Sequence, residues 1–244
     1  MRKIRAVFFD IYKTLLDIDT DEEDIGTYAF LSRWLSYHGV VIDPPGLRLK
    51  YRELCAQVVA KNPEPHPEAD IGEVFAAILD EGKEASSDLR CKSGEVAFLF
   101  RMLTTKSISA YPGLHQLLDS LRGKARIGII SNAQRLFTMP ELSKFGLTGF
   151  FDPIVLSSDL GVRKPGPRIF RTALDAVGVP PEAAVFIGDN LYDDVYGAGS
   201  IGMKTIWIDR GTKLDPATPA LTKPDFVVKD EPYKELERIL SSLL

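Results

Sequence analysis

Cysteine and histidine are scarce in this 244-residue chain, with two of the first and three of the second. Cys55 and Cys91 stand far apart with no metal-type spacing, so a disulfide framework and a zinc site are both excluded as organising features. His38, His66 and His115 have no ligand spacing either, and exposed or capping roles are expected for them. Long apolar runs are also missing. The run after Met1-Arg2-Lys3 stops at Asp10, too short for a signal-peptide core, and no run approaches membrane-spanning length. A cytoplasmic location is the expectation. The formal net charge of −4 gives no general attraction to nucleic acid or to an anionic membrane. Repeats and low-complexity tracts are absent. What remains is ordinary globular composition, 45% apolar and 26% charged, in a chain long enough for a large core.

Ile4-Arg5-Ala6-Val7-Phe8-Phe9-Asp10 reads as a buried parallel strand that delivers a carboxylate to its C-terminal end. Ligands bind at that edge of open α/β sheets. An acidic connector follows (Asp17, Asp19, Asp21, Glu22, Glu23, Asp24), expected to be a solvated loop, a hinge and the first turn of a helix. From about Glu22 to Thr105 the apolar spacing is helical, as in Ile71, Val74, Phe75, Ile78 and Val96, Leu99, Phe100, Leu103. Arg33, Arg101 and Lys106 could face the site from the cap, and helix-surface charges are the commoner case for such residues. Strands and helices then alternate. Strands are expected at 125–130, 154–156, 183–187, 205–208 and 226–228. Helices are expected at 112–121, around 141–145, at 165–176, around 192–200 and at the C-terminus. The fold class this predicts is α/β: a doubly wound, Rossmann-like parallel sheet with an inserted α-helical cap. Residues 1–16 and 109–244 form the core, and 17–108 form the cap with its two connectors.

Four polar groups follow the strands or a strand-like loop: Asp10 with Tyr12 and Thr14; Ser131 with Asn132; Lys164; and Asp189 with Asp193 and Asp194. In type, order and rough spacing they resemble the motifs of the haloacid dehalogenase-like hydrolase superfamily, and the resemblance covers the entire chain. It implies that Asp10 is a nucleophile that forms a covalent intermediate, splitting one hard step into two. It implies a Mg²⁺ ion held by the Asp10 carboxylate, the Tyr12 main-chain carbonyl and Asp189, in keeping with the ion's demand for hard oxygen ligands. It implies phosphoryl binding by Thr14, Ser131 and Asn132, charge stabilisation by Lys164, and orientation of the lysine or metal waters by Asp194. For Asp193 an acidic helix start is the preferred reading.

Two positions depart from the phosphatase pattern. Tyr12 stands where phosphatases carry an acid–base Asp, and Lys13 replaces a Gly. Tyr at that place resembles the haloacid dehalogenases, which need no metal, whereas Asp189 resembles the phosphatases. Phe170 stands where such dehalogenases tend to have Tyr. The resemblance therefore implies a Mg²⁺-dependent phosphatase of a small phosphorylated metabolite, with no nucleic-acid or membrane partner. A metal-free 2-haloacid dehalogenase remains the second reading. A third is a non-catalytic member that binds a phosphorylated ligand or a protein, with Lys13 resident in the pocket. The substrate and the oligomeric state are not legible.

Overall fold

The computed structural model describes residues 3–81, 91–211, 215–229 and 232–244. The basic Met1-Arg2 start and part of the helical span expected between Glu22 and Thr105 (82–90) lie outside the described residues. Strand β1 (Ala6–Phe9) is entirely buried and occupies the middle of a six-stranded parallel sheet. The other strands are β4 (Arg126–Ser131), β5 (Ile154–Leu156), β6 (Ala184–Gly188), β7 (Lys204–Ile208) and β8 (Phe226–Val228), and the order is β5-β4-β1-β6-β7-β8.

Alternation along β1 divides the core in two. Val7 and Phe9 point into one apolar layer with Leu114, Leu118, Leu236 and Leu240; Ala6 and Phe8 point into the other with Ile169, Phe170 and Ala173. A strand buried on both faces in this way cannot show polar alternation, hence its continuous apolar run. The expected α/β fold is the observed one, and among the described residues no helix is long and apolar enough to cross a membrane.

The cap comprises helices α1 (Ile25–Tyr37), α2 (Pro44–Lys61), α3 (Ile71–Leu79) and α4 (Ser93–Thr104). Three of them begin on an Asp. Asp24, Asp43 and Asp70 each accept main-chain N–H groups of the first turn, which would otherwise be unsatisfied. Their apolar faces meet in a separate core that contains Tyr28, Leu31, Phe75, Ile78 and Phe100.

The acidic connector is not the expected loop. Leu16–Thr20 forms strand β2, paired antiparallel with β3 (Thr105–Ala110) through Leu16↔Ala110 and Ile18↔Ile108. Leu16 and Ile18 are buried while Asp17 and Asp19 face water, a period-two pattern that the density of acids disguises. Both chain passages between cap and core thus run side by side in one ribbon. Helix starts also differ from expectation. The first core helix, α5, begins at Leu114 because Gly113 takes a left-handed conformation (φ 83°) just before it. Helix α6 spans Arg135–Lys144, beginning well before the expected 141, and carries Pro140 inside it. Helix α7 spans Pro167–Val177 and stops at the left-handed Gly178.

Candidate active site

Asp10 follows β1 directly, its main-chain N–H held by the Ile187 carbonyl at 2.9 Å. Two donors converge on its Oδ1: the Ser131 hydroxyl at 2.8 Å and the Lys164 ammonium at 2.7 Å. Ser131 ends β4, the neighbour of β1 on one side. Lys164 comes from the loop before α7, and its Nζ also donates to Asp194 Oδ1 at 2.6 Å. The lysine side chain is only 2% exposed. Burial alone would lower its pKa, but the carboxylates of Asp10 and Asp194 outweigh burial and hold it above the usual lysine value. Asn132 fixes the lysine loop from both ends: its Oδ1 accepts the Lys164 N–H at 2.7 Å and its Nδ2 donates to the Lys164 carbonyl at 3.2 Å.

The third carboxylate arrives from β6, the neighbour of β1 on the other side. This is Asp189, and Gly188 before it makes room for Asp194. A Cβ there would lie 2.1 Å from Asp194 Oδ2, so only a glycine lets that carboxylate reach the main chain, where Asn190 N–H donates to it at 2.9 Å. The segment Leu191–Tyr196 is a π-helical turn, a wide winding often found at functional sites, and Asn190 caps it by accepting from Tyr192 and Asp193 N–H.

Asp10, Asp189 and Asp194 each offer an oxygen within 4.8 Å of the others. Burial, followed by the like charges of Asp10 and Asp194, pushes the Asp189 carboxyl from its usual 3.8 up to about 8. Burial likewise raises Asp194, to about 6, against the pull of Lys164. Lys164 alone leaves this cluster short of positive charge. An all-oxygen set of hard ligands with a charge deficit fits a divalent cation such as Mg²⁺.

Asp10, Tyr12, Ser131, Asn132, Lys164, Asp189, Asp193 and Asp194 all line one cavity of about 130 Å³. Thr14 does not: it is fully buried, and its hydroxyl lies 3.5 Å from Asp189 Oδ1. Asp193, read as a plain helix start, reaches the same cavity and accepts from Asn132 Nδ2 at 3.3 Å. Lys13 leaves the site. It sits at φ 61°, and its ammonium pairs with Asp17 at 2.8 Å, so it is no resident charge in the pocket. Phe170 belongs to the core, edge-on against Phe186 at 5.3 Å.

Tyr12 has partners that sequence reasoning missed. Its hydroxyl donates to Glu141 Oε2 at 2.6 Å and lies 3.0 Å from the Thr138 hydroxyl, both on α6. Burial and the Glu141 charge hold the phenol above its ordinary pKa. Arg101 of cap helix α4 forks onto the same Glu141 at 2.7 and 3.1 Å, with its guanidinium between the rings of Tyr12 and Phe137. With side chains 12% and 14% exposed, Arg101 and Glu141 form a half-buried pair, not the helix-surface charge expected for Arg101. Thr138 and Glu141, three apart, share one face of α6, which places both within reach of Tyr12.

An α/β sheet with an acidic cluster at the C-terminal ends of its central strands, covered by a helical cap, defines a hydrolase with a carboxylate at its centre. The family model of haloacid dehalogenase-like hydrolases matches residues 79–208, and the chain belongs to that family. A glyceraldehyde 3-phosphate phosphatase of Pyrococcus furiosus is 28% identical over 95% of this chain and 92% of its own length. An N-acylneuraminate-9-phosphatase of Mus musculus is 26% identical over 100% and 96%. Among solved structures, a 2-haloacid dehalogenase of Pseudomonas syringae superposes with a TM-score of 0.73 at 24% identity, covering 99% of this chain and 100% of that one, a likeness of fold.

Proposed function

We propose that this hydrolase is a Mg²⁺-dependent phosphatase of a small phosphorylated metabolite, acting through an aspartyl-phosphate on Asp10. The observation that carries the reading is the Asp10–Asp189–Asp194 cluster, in which burial, with the like charges of the other two, raises Asp189 to about 8. A bound Mg²⁺, held by Asp10, Asp189 and the Tyr12 carbonyl, would offset the repulsion between an anionic nucleophile and an anionic phosphate. Asp194 would either join that set or orient its waters while fixing the lysine. In this reading residues 17–108 act as the cap over a core of 1–16 and 109–244. The curated relatives, a glyceraldehyde 3-phosphate phosphatase and an N-acylneuraminate-9-phosphatase, support a small phosphorylated substrate.

The residues divide the work as follows. Ser131 and Lys164 both occupy Asp10 Oδ1 and so fix the carboxylate, and Oδ2, free of those two bonds, attacks phosphorus. The bond to the leaving oxygen breaks as the Asp10–phosphorus bond forms. Lys164 stabilises charge on the transferring group and is kept protonated by its two carboxylates. Water then attacks the phosphorus of the aspartyl-phosphate, releasing phosphate and Asp10. Tyr12 is a poor source of the leaving-group proton, because its pKa is raised and its hydrogen is committed to Glu141. Substrates with acidic leaving groups should therefore turn over best.

Tyr12 itself favours the second reading, a 2-haloacid dehalogenase, since a halide leaves without a proton. That reading gives the acidic cluster no use. One experiment separates them. Hydrolysis of p-nitrophenyl phosphate that requires Mg²⁺, stops with EDTA and is lost in Asp10→Asn supports the phosphatase. Chelator-insensitive halide release from a panel of chlorinated acids, without phosphate release, replaces it.

A further inference from the structure

The turn that follows Asp10 is wound tightly by its own main chain. The Ile11 carbonyl accepts from Thr14, Leu15 and Leu16 N–H at 3.3, 2.6 and 2.9 Å, and Lys13 N–H donates to the Leu16 carbonyl at 2.7 Å. Within it Lys13 takes a left-handed φ of 61°, which a side chain with a Cβ disfavours and which persists only where the surroundings enforce it. The carbonyls of Tyr12, Lys13 and Thr14 receive no main-chain N–H among the described residues.

Two of these three carbonyls are taken by side chains from far along the chain. Arg210, just after β7, donates its Nε–H to the Lys13 carbonyl at 3.1 Å. Tyr233, on the C-terminal helix (Pro232–Leu243), donates its hydroxyl to the Thr14 carbonyl. The two donors are themselves braced. Arg210 Nη2 lies 3.5 Å from the Tyr233 hydroxyl, and its guanidinium lies over the Tyr111 ring at 3.9 Å. Tyr111 in turn donates its N–H to the Leu15 carbonyl at 3.3 Å and its hydroxyl to Asp17 at 3.2 Å. Trp207 of β7 gives the same kind of support to the neighbouring strand end, its Nε1–H donating to the Asp189 carbonyl at 2.8 Å. Among the described residues only the Tyr12 carbonyl of the three is left without a donor, and it is the one that the phosphatase reading gives to Mg²⁺.

We infer, on the basis of that reading, that Arg210 and Tyr233 are positioning residues for the cation. Neither lines the cavity of the acidic cluster, so they act through the chain. The Tyr12 carbonyl shares a peptide plane with the Lys13 N–H. The left-handed Lys13 joins that plane to the next, whose carbonyl Arg210 holds. Thr14, whose carbonyl Tyr233 holds, sets its hydroxyl 3.5 Å from Asp189 Oδ1, and so links the clamp to the other strand end. Mg²⁺ demands near-ideal octahedral geometry, so a carbonyl that is free to swing costs affinity.

Thermal melts of the full chain at rising Mg²⁺ read this without turnover, since an ion that binds only the folded state raises the Tm with its concentration. Arg210→Gln and Tyr233→Phe should each need about five- to tenfold more Mg²⁺ than the parent for the same rise in Tm, the scale of one hydrogen bond. Arg210→Lys should recover part of the loss. The Mg²⁺ concentration for half-maximal turnover of p-nitrophenyl phosphate should rise in step. Variants that melt lower in EDTA yet keep the parent's response to Mg²⁺ reveal a structural tie only and overturn the inference. Tighter Mg²⁺ binding in Arg210→Gln overturns it too, because that is the result if Arg210 acts merely as a positive charge repelling the ion. Tyr233→Phe keeps the ring in place and decides the matter if Arg210→Gln does not fold. A parent with neither a Mg²⁺-dependent rise in Tm nor Mg²⁺-dependent phosphate release removes the phosphatase reading instead.

Discussion

Lys164 and its two carboxylates carry a different kind of evidence from Tyr12. The lysine is buried with both partners, so removing it strands Asp10 and Asp194 as like charges without their cation, a strongly destabilising change. Tyr12 is bound to Glu141 and away from acid–base work. Tyr12→Phe should therefore change turnover of p-nitrophenyl phosphate by only a few-fold, against the roughly 10²–10⁴-fold expected from loss of a general acid; steady-state kinetics reads the difference. Tyr12→Asp should raise hydrolysis of alkyl phosphates relative to aryl phosphates. Asp189 gives a pH prediction. Its carboxyl titrates near 8 in the folded chain and near 3.8 as a free side chain, so between those values the folded state holds a proton that the unfolded state has lost. Metal-free stability from this group accordingly falls as pH rises through that window. Asp189→Asn should raise the Tm measured in EDTA, and by more at pH 8 than at pH 5. Asp10 and Asp189 were legible from the sequence because each directly follows a buried strand and carries a charge; the Glu141–Arg101 partnership of Tyr12 was not, since it depends on how a cap helix meets α6.

Element by element, legibility follows the strength of local pattern. Strands β1, β4 and β6 stand out because burial on both faces makes them continuously apolar. The β2–β3 ribbon stayed hidden because its exposed face is acidic on β2 and mixed polar on β3. Helix α6 is longer than the expected span around 141–145, and its first turns, Arg135-Leu136-Phe137-Thr138, carry Pro140 just behind them. Gly188, at the end of β6, is the element-level feature with the sharpest consequence. Gly188→Ala forces its new methyl onto the Asp194 carboxylate, so it should both destabilise the fold by about 1–3 kcal/mol, as overpacking does, and disturb the lysine; urea unfolding and Mg²⁺-dependent turnover read the two effects. Arg101 ties α4 of the cap to α6 of the core. Arg101→Ala should cost about 1–2 kcal/mol in urea unfolding, because it leaves the half-buried Glu141 with only the Tyr12 hydroxyl as donor, and Arg101→Ala with Glu141→Ala together should cost less than the sum of the two.

At the scale of the molecule, two apolar bodies are joined by one ribbon and a few polar contacts, with the chemistry at the seam. The sheet brings Asp10 and Asp189, nearly 180 positions apart in sequence, to adjacent strand ends through the pairing of β1 with β6, and the pairing of β1 with β4 adds Ser131. Topology of that kind is legible from strand order, whereas what the seam selects is decided by side chains from the cap, where helical periodicity says nothing about orientation across the gap. The account's central claim is that Asp10 takes up the phosphoryl group in a cation-dependent step. The most direct measurement is mass spectrometry of acid-quenched enzyme after brief exposure to acetyl phosphate. A phosphoryl adduct on the peptide containing Asp10, present with Mg²⁺ and absent with EDTA, is the predicted result; an unmodified Asp10 peptide during active turnover, or an adduct equally abundant without the cation, would contradict it.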